Sequence, residues 1–128
     1  MKIQTAGELV KEAKAGIENL TAAEVKQEIE TGHVVLIDIR ESNELAETGM
    51  ISGSVHAPRG MLEFYADPAF PYYKPEFNKE DRIILHCASG GRSALAVKTL
   101  QSMGFTNIAH LDGGLKAWKE AGFPVSGK

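Results

Sequence analysis

Cysteine is scarce in this sequence of 128 residues, since Cys87 is the only one. A single thiol cannot form an internal disulfide, so the fold must depend on a packed core. Basic residues are not in excess either: the formal net charge is −3, and the lysines and arginines are dispersed. This composition gives no support to nucleic-acid binding and leaves small molecules or another protein as expected partners.

Long apolar runs are also missing. No stretch approaches the roughly 18 apolar residues of a membrane span, and residues 1–20 lack an apolar segment behind a basic start. We therefore expect a cytoplasmic protein without a membrane segment or secretory signal. With 43% hydrophobic residues, the chain should form one domain over residues 1–128, comprising an N-terminal helical extension (1–16) and a core (17–128).

Helices and strands alternate along the chain. Capping boxes at residues 5–8 and 21–24 predict two helices, which Gly16 and Gly32 would close in the left-handed conformation. Strands are expected at 17–20, 34–39, 54–57, 82–85 and 108–111, and further helices at 60–65, 92–103 and 114–121. Three prolines make residues 67–78 a structured loop. The alternation predicts an α/β fold with a five-stranded, mainly parallel sheet flanked by helices on both faces.

The most informative segment is residues 85–93, where the chain leaves an apolar strand and enters a glycine-bearing loop before a helix. Cys87 lies at this turn, at the carboxyl end of a strand, where open α/β sheets bind ligands. Gly90 and Gly91 allow successive N–H groups to point inward, and the helix adds its partial positive end. The segment therefore predicts an anion-binding loop and a nucleophilic Cys87 that is partly or mostly thiolate at pH 7.

Four segments in this order resemble those of the single-domain rhodanese-like sulfurtransferase family. They are Cys87-Ala88-Ser89-Gly90-Gly91-Arg92-Ser93, Asp38-Ile39-Arg40-Glu41 with Glu44-Leu45, Ile51-Ser52-Gly53-Ser54 followed by Pro58, and Leu111-Asp112-Gly113-Gly114 with Ala117-Trp118. The resemblance covers most of the chain. It departs from the family at Met50, where histidine is frequent, and in the additional helix around residues 5–15.

This resemblance implies a sulfurtransferase. Cys87 would take a sulfane sulfur from thiosulfate or a persulfide, hold it as a persulfide, and pass it to cyanide or a thiol. Backbone N–H groups of the loop would stabilise the persulfide anion, and Arg92 would attract an anionic donor. We expect the loop residues Ala88, Ser89, Gly90, Gly91, Arg92 and Ser93 to bind the substrate, together with Asp38, at the carboxyl end of a strand, and Arg59, in a predicted loop. We expect neither an organic cofactor nor a metal.

Several polar residues have more than one interpretation. Asp38 could contact the pocket or cap the next turn, and Arg59 could meet an anionic donor at the mouth of the pocket. Arg40 is expected to form a structural ion pair with Glu41 or Glu44. His86 should point to the opposite sheet face from Cys87 as a buried, hydrogen-bonded histidine.

Two other functions remain open at this point. The first is a persulfide carrier or binding module that acts with a partner protein. The second is a cysteine-based phosphatase or arsenate reductase. The related phosphatases have five residues between cysteine and arginine, whereas Cys87 and Arg92 have four between them. A tighter ring of N–H groups suits a single sulfur atom better than a phosphate.

Overall fold

Five parallel strands form the centre of the fold in the computed structural model, which describes residues 3–126. The strands are β1 (Glu18–Leu20), β2 (Val34–Asp38), β3 (Val55–His56), β4 (Arg82–His86) and β5 (Ile108–Leu111). Their order across the sheet is β1-β5-β4-β2-β3, and every neighbouring pair is parallel. The predicted parallel sheet is therefore confirmed, with β4 at its centre.

Six α-helices cover the two faces of this sheet. They are α1 (Ala6–Ala15), α2 (Ala22–Thr31), α3 (Ser42–Thr48), α4 (Leu62–Ala66), α5 (Gly91–Ser102) and α6 (Gly114–Glu120), and a 3₁₀ turn (Arg59–Met61) precedes α4. Helices α4 and α5 pack on one face, with α1 against α5, while α2 and α6 pack on the other. Within residues 3–126, none of the helices has both the length and the apolar character needed to cross a membrane.

Alternation along β4 divides the core into two halves. Ile83 and Leu85 pack with the α4 and α5 side, and Cys87 continues their row. Ile84 packs with the α2 and α6 side. Because successive side chains of a strand point to opposite faces, the residue after the strand carries its thiol towards the N terminus of α5.

Two local predictions need correction. Helix α3 was not predicted, because it is short and its capping box begins at Glu41 instead of a residue that favours the N-cap. Gly16 closes α1 with a φ of −114°, outside the left-handed region, whereas Gly32 has the predicted left-handed φ of 83°. Residues 67–78 contain turns and no helix or strand, as predicted. The domain boundary at residue 16 stays a prediction.

Candidate active site

Cys87 lies directly after β4 and is almost fully buried, with 1% of its surface exposed. Its Sγ accepts hydrogen bonds from the backbone N–H groups of Gly90 (3.2 Å) and Ser93 (3.4 Å). Gly90 has a left-handed φ of 102°, and a Cβ there would lie 2.9 Å from the backbone nitrogen of Gly113. The turn therefore requires glycine at this position. Two of the predicted amide donors thus point at the sulfur.

The rest of the loop is held by its carbonyl groups. The carbonyl oxygens of Cys87 and Ala88 accept hydrogen bonds from the N–H groups of Leu115 (2.9 Å) and Lys116 (3.0 Å) at the start of α6. The loop also has further amide donors, which form no hydrogen bond with any residue between 3 and 126; these belong to Ala88, Ser89, Gly91 and Arg92. The loop consequently has donors to spare for an anion above the sulfur.

Arg92 leaves the loop and binds Glu44 of α3. Its two terminal nitrogens donate to the two carboxylate oxygens at 2.7 and 2.9 Å. These hydrogen bonds, against an opposing effect of burial, lower the pKa of Glu44 to about 2, and the carboxylate in turn raises the pKa of Arg92. The expected ion pair between Arg40 and Glu41 or Glu44 is therefore wrong. The positive charge of Arg92 is already matched before any donor arrives.

Asp38 and Arg40 form a buried ion pair below the loop, with exposed fractions of 0% and 1%. Arg40 donates to both oxygens of Asp38 at 2.8 to 3.2 Å and also to Thr48 Oγ and the Gly49 carbonyl, both at 2.7 Å. Burial alone would raise the pKa of Asp38, but the hydrogen bonds of Arg40, with help from His86, hold it below the usual value.

This arrangement disagrees with the expectation that Asp38 contacts the substrate. Asp38 pairs with His86 across β2 and β4, so both side chains lie on the sheet face opposite to Cys87. Its carboxylate is buried and engaged by Arg40, which leaves no oxygen for a ligand in the loop. Asp38 instead anchors Arg40, which ties β2 to the end of α3.

The structure also separates Arg59 from the loop. Its guanidinium binds Glu63 (2.9 Å) and the hydroxyl of Thr99 (3.3 Å), two turns further along α5 than the sulfur site. His86 is buried on the opposite face from Cys87, but its expected hydrogen bonding is incomplete. Its Nδ1 has one long contact of 3.4 Å with the Cys87 carbonyl, and its Nε2 has no hydrogen-bond partner within the described residues.

A cleft of about 360 Å³ borders the loop between α3 and α6. Its lining residues are Arg40, Glu44, Glu47, Thr48, Ala88, Leu115, Lys116 and Lys119. The acidic side chains come from α3 and the lysines from α6, so the walls carry charges of both signs. Of the loop residues, Ala88 lines this cleft, so the cleft borders the residue that follows the cysteine.

Sequence reasoning included Ser93 in the loop but missed His110 and Asn19, which lie behind it. Ser93 Oγ lies 3.6 Å from Cys87 Sγ and 2.8 Å from Nδ1 of His110, whose Nε2 lies 2.7 Å from Oδ1 of Asn19. His110 pairs with Leu85 across β5 and β4, which places it on the same sheet face as Cys87. The available signal was its position at the carboxyl end of the strand before Asp112.

The sequence is similar to those of known proteins. A model described as the rhodanese-like domain matches residues 21–121. The chain is 35% identical to "Thiosulfate sulfurtransferase 16, chloroplastic" of Arabidopsis thaliana over 73% of its own length and 80% of that protein. It is 29% identical to a Bacillus subtilis protein provisionally named as a sulfur carrier, over 91% of its own length and 58% of that protein.

A solved structure from Rhodopseudomonas palustris resembles the whole chain. Its TM-score is 0.91 at 41% identity, covering 98% of this chain and 97% of that one, and it is described as a protein of unknown function, possible tyrosine phosphatase. This likeness includes the helical extension, because so little of either chain is left uncovered. Since the rhodanese-like model spans most of the sequence and the predicted sheet and loop are present, the chain belongs to the rhodanese-like domain family.

Proposed function

We propose that this protein is a sulfurtransferase that carries a sulfane sulfur as a persulfide on Cys87. The observation that carries the proposal is the environment of the Cys87 sulfur. This buried Sγ accepts hydrogen bonds from two backbone N–H groups, and the loop has further amide donors beside it. Amide donors fixed in a buried turn stabilise a developing anion without reorganising. The sulfurtransferase among the relatives supports the same chemistry.

The reaction consists of two displacements at sulfur. The Cys87 thiolate attacks the outer sulfur of a donor such as thiosulfate, the new S–S bond forms, and sulfite leaves with the electron pair of the broken bond. A nucleophilic acceptor, cyanide or a thiolate, then attacks the outer sulfur of the persulfide. That S–S bond breaks, and its electron pair returns to Cys87 as a thiolate.

The amide groups of the loop that have no hydrogen-bond partner among residues 3–126 suit the persulfide form of Cys87. A persulfide places its outer, negatively charged sulfur one S–S bond above Sγ, towards the N–H groups of Ala88, Ser89, Gly91 and Arg92. In comparable sites, removing one such donor costs about 10²- to 10³-fold in rate. The cleft beside Ala88 would admit the donor and the acceptor, whether these are small molecules or a thiol presented by another protein.

Phosphate-ester hydrolysis is the less favoured alternative, although a structural relative is described as a possible tyrosine phosphatase. A phosphate would need the guanidinium fork of Arg92, and Glu44 already occupies both of its terminal nitrogens. The loop also has four residues between Cys87 and Arg92, which leaves a smaller ring than the five of the related phosphatases.

Turnover assays separate these functions. Thiosulfate with cyanide is offered to the wild-type protein, to Cys87→Ser and to the control Ser102→Ala, whose hydroxyl donates to the Thr99 carbonyl away from the loop. Para-nitrophenyl phosphate is offered in parallel. The proposal expects thiocyanate from the wild type and the control, none from Cys87→Ser, and no phosphatase activity. Hydrolysis of the phosphate ester without thiocyanate formation would overturn it.

Persulfide transfer to a partner alone would favour the carrier function. In that case the wild type forms no thiocyanate from thiosulfate, yet its Cys87 gains sulfur from a persulfidated donor protein. The provisional name of the Bacillus relative gives this alternative its support. Both outcomes keep Cys87 as the residue that holds the sulfur, and they differ only in the donor.

A further inference from the structure

We propose that Ser93 and His110 form a proton relay that accepts the proton of the Cys87 thiol. Ser93 touches the reacting sulfur, and His110 is a positioning residue that acts on it through Ser93. The inference rests on the proposed role of Cys87 as a nucleophile and adds the way in which its thiol becomes a thiolate.

Burial creates the need for such a relay. Cys87 is 1% exposed, and Ser93 and His110 are fully buried. At this depth the side chains around the sulfur are the nearest groups to which the thiol proton can pass. From Sγ, the contacts lead over 3.6 Å to Ser93 Oγ and over a further 2.8 Å to His110 Nδ1.

The direction of these hydrogen bonds follows from Asn19. Its side-chain nitrogen donates to the carbonyl oxygens of Lys14 (2.9 Å) and Ile17 (3.2 Å), so its Oδ1 must face His110. An amide oxygen only accepts, and Nε2 of His110 therefore carries the hydrogen. In a neutral imidazole this leaves Nδ1 as an acceptor, to which the Ser93 hydroxyl donates.

The tautomer of His110 determines which group donates and which accepts in each contact between Cys87, Ser93 and His110. A serine hydroxyl has one hydrogen, which can point to the Gly90 carbonyl at 3.3 Å or to Nδ1 of His110 at 2.8 Å. In the shorter of these contacts it points to His110, and the lone pairs of Ser93 Oγ then face Cys87. The thiol is then the donor in the contact between Sγ and Oγ. Every hydrogen bond runs from the sulfur towards the imidazole, which is the arrangement that a proton transfer in that direction needs.

The transfer balances without another reagent. The S–H bond of Cys87 breaks and its proton joins Ser93 Oγ, while the hydroxyl proton of Ser93 moves to His110 Nδ1. The products are a thiolate, a neutral serine and an imidazolium. Each hydrogen bond has then reversed, so that Ser93 donates to the thiolate as a third donor beside the N–H groups of Gly90 and Ser93.

The groups that face His110 keep its imidazole neutral near pH 7, although burial also makes it a weaker base than a free histidine. Burial lowers the pKa of His110 to about 4, with Asp112 opposing and Lys14 adding to this shift. Lys14 of α1 and Asp112 after β5 bind each other at 2.8 Å and so offset each other. The neighbours from β1 and α5, Asn19 and Ser93, are uncharged. The free protein therefore holds the neutral base near pH 7, and a thiolate nearby would favour its protonation.

Helix α1 takes part in this arrangement. The Lys14 carbonyl near its C terminus orients Asn19, and its ammonium group binds Asp112. In addition, a Cβ on Gly91 would lie 3.7 Å from a methyl group of Val10, which shows how closely the helix borders the loop. Through Asn19, the N-terminal extension thus helps to fix the tautomer of His110, which lies on β5 beside β1.

Alkylation tests the relay independently of sulfur transfer, because Cys87 is the only cysteine. The rate of its reaction with iodoacetamide is measured against pH for the wild type, His110→Gln and Ser93→Ala, with His33→Gln as a control on the exposed turn before β2. We expect His110→Gln and Ser93→Ala to react about tenfold or more slowly at pH 6 to 7, with profiles displaced to higher pH. The control should match the wild type.

The variant Asn19→Asp should change the alkylation rate in the opposite direction. A carboxylate at Nε2 would make His110 a stronger base, so this variant should react faster than the wild type at pH 5 to 6. A merely structural role would instead make Asn19→Asp slower, like Asn19→Ala. An unchanged profile for His110→Gln, or slower reaction of Asn19→Asp, would overturn the relay.

Nitrogen NMR covers the case in which His110→Gln does not fold. In the wild type, the ¹⁵N shifts of His110 should show a hydrogen on Nε2 and none on Nδ1 at pH 7, and the opposite tautomer would also overturn the relay. Loading with thiosulfate separates the two proposals. If the alkylation profiles of the variants are displaced but the wild type takes up no sulfur, the relay is supported and the sulfurtransferase function is contradicted. If the wild type takes up sulfur but the profiles of the variants are unchanged, the function is supported and the relay is contradicted.

Discussion

The ion pair between Arg92 and Glu44 predicts that Glu44→Gln strengthens the binding of thiosulfate. Glutamine keeps the hydrogen-bond acceptor that caps α3 at Glu41, but it removes the negative charge beside the loop. In water, a dianion and a single negative charge that are separated by about 8 Å repel each other by about 1 kcal/mol, and we take this as the size of the effect. Loss of this repulsion should lower KM for thiosulfate roughly fivefold, with little change in kcat.

Ionic strength identifies the cause of this change. The Debye length falls from about 10 Å at 0.1 M salt to about 3 Å at 1 M, so the decrease in KM should be present at low salt and disappear at high salt. Glu30→Gln is the matched control, since it removes the same charge from a pair with Lys26 on α2. A KM that rises, or a decrease that persists in 1 M salt, would refute the reasoning.

The same variant has a measurable cost in stability. The pKa of Glu44 is about 2 in the folded protein against 4.5 for an unperturbed glutamate, so the ion pair stabilises the fold above pH 4.5, and this contribution is lost as the pH falls towards 2. Because Arg92 and Glu44 are partly exposed, solvent screening limits the effect to about 1 kcal/mol. Urea unfolding at pH 7 and pH 3 should show the difference between the proteins shrinking at the lower pH.

Three further predictions concern the fold around the loop. Arg40→Met leaves the buried charge of Asp38 unpaired and should lower the free energy of unfolding by about 3 to 5 kcal/mol in urea titrations; a loss below 1 kcal/mol would contradict the buried pair. Gly114→Ala should reduce both stability and turnover much more than Gly122→Ala, because both have a left-handed φ but only at Gly114 would a Cβ meet the loop backbone, at 2.6 Å; equal losses in thermal melts and activity assays would count against this contact. The depressed pKa of His110, about 4 when folded against 6.5, means that the unfolded chain binds more protons between these values, so stability should fall as the pH drops from 6.5 to 4. His110→Gln should weaken that dependence, and an identical slope in both proteins would refute it.

Much of the fold could be predicted because its signals are local. The β-branched run that ends at Asp38 and the capping boxes at Thr5 and Thr21 depend on neighbouring residues alone, and the structure contains the corresponding strand and helices. Helix α3 was missed because it is short and its capping box begins at Glu41, which is not a residue that favours the N-cap. It depends on tertiary contacts, since Arg40 holds Thr48 and the carbonyl of Gly49 at its C terminus.

In the site, too, contacts between residues that are close in sequence could be predicted, and contacts between distant residues could not. The loop from Cys87 to Ser93 has a continuous sequence, so its geometry could be anticipated. The partner of Arg92 could not, because Glu44 is 48 positions away, and charge alone made Arg40 an equally good candidate. The position of Asp38 could have been predicted from the alternation of side chains along a strand, which had already placed His86 on the face opposite to Cys87. Asp38 pairs with His86 in the parallel register of β2 and β4, so it lies on that same opposite face. Asn19 and His110, 91 positions apart, meet only once β1 and β5 pair.

Intact mass measurement after incubation with thiosulfate tests the central claim most directly. The wild-type protein and Cys87→Ser are treated alike, freed of excess thiosulfate and weighed, and each is weighed again after cyanide is added. The account predicts that the wild type gains the mass of one sulfur atom and loses it to cyanide, while Cys87→Ser gains nothing. A wild type without added sulfur, or equal uptake by Cys87→Ser, would contradict the claim that Cys87 carries the sulfur.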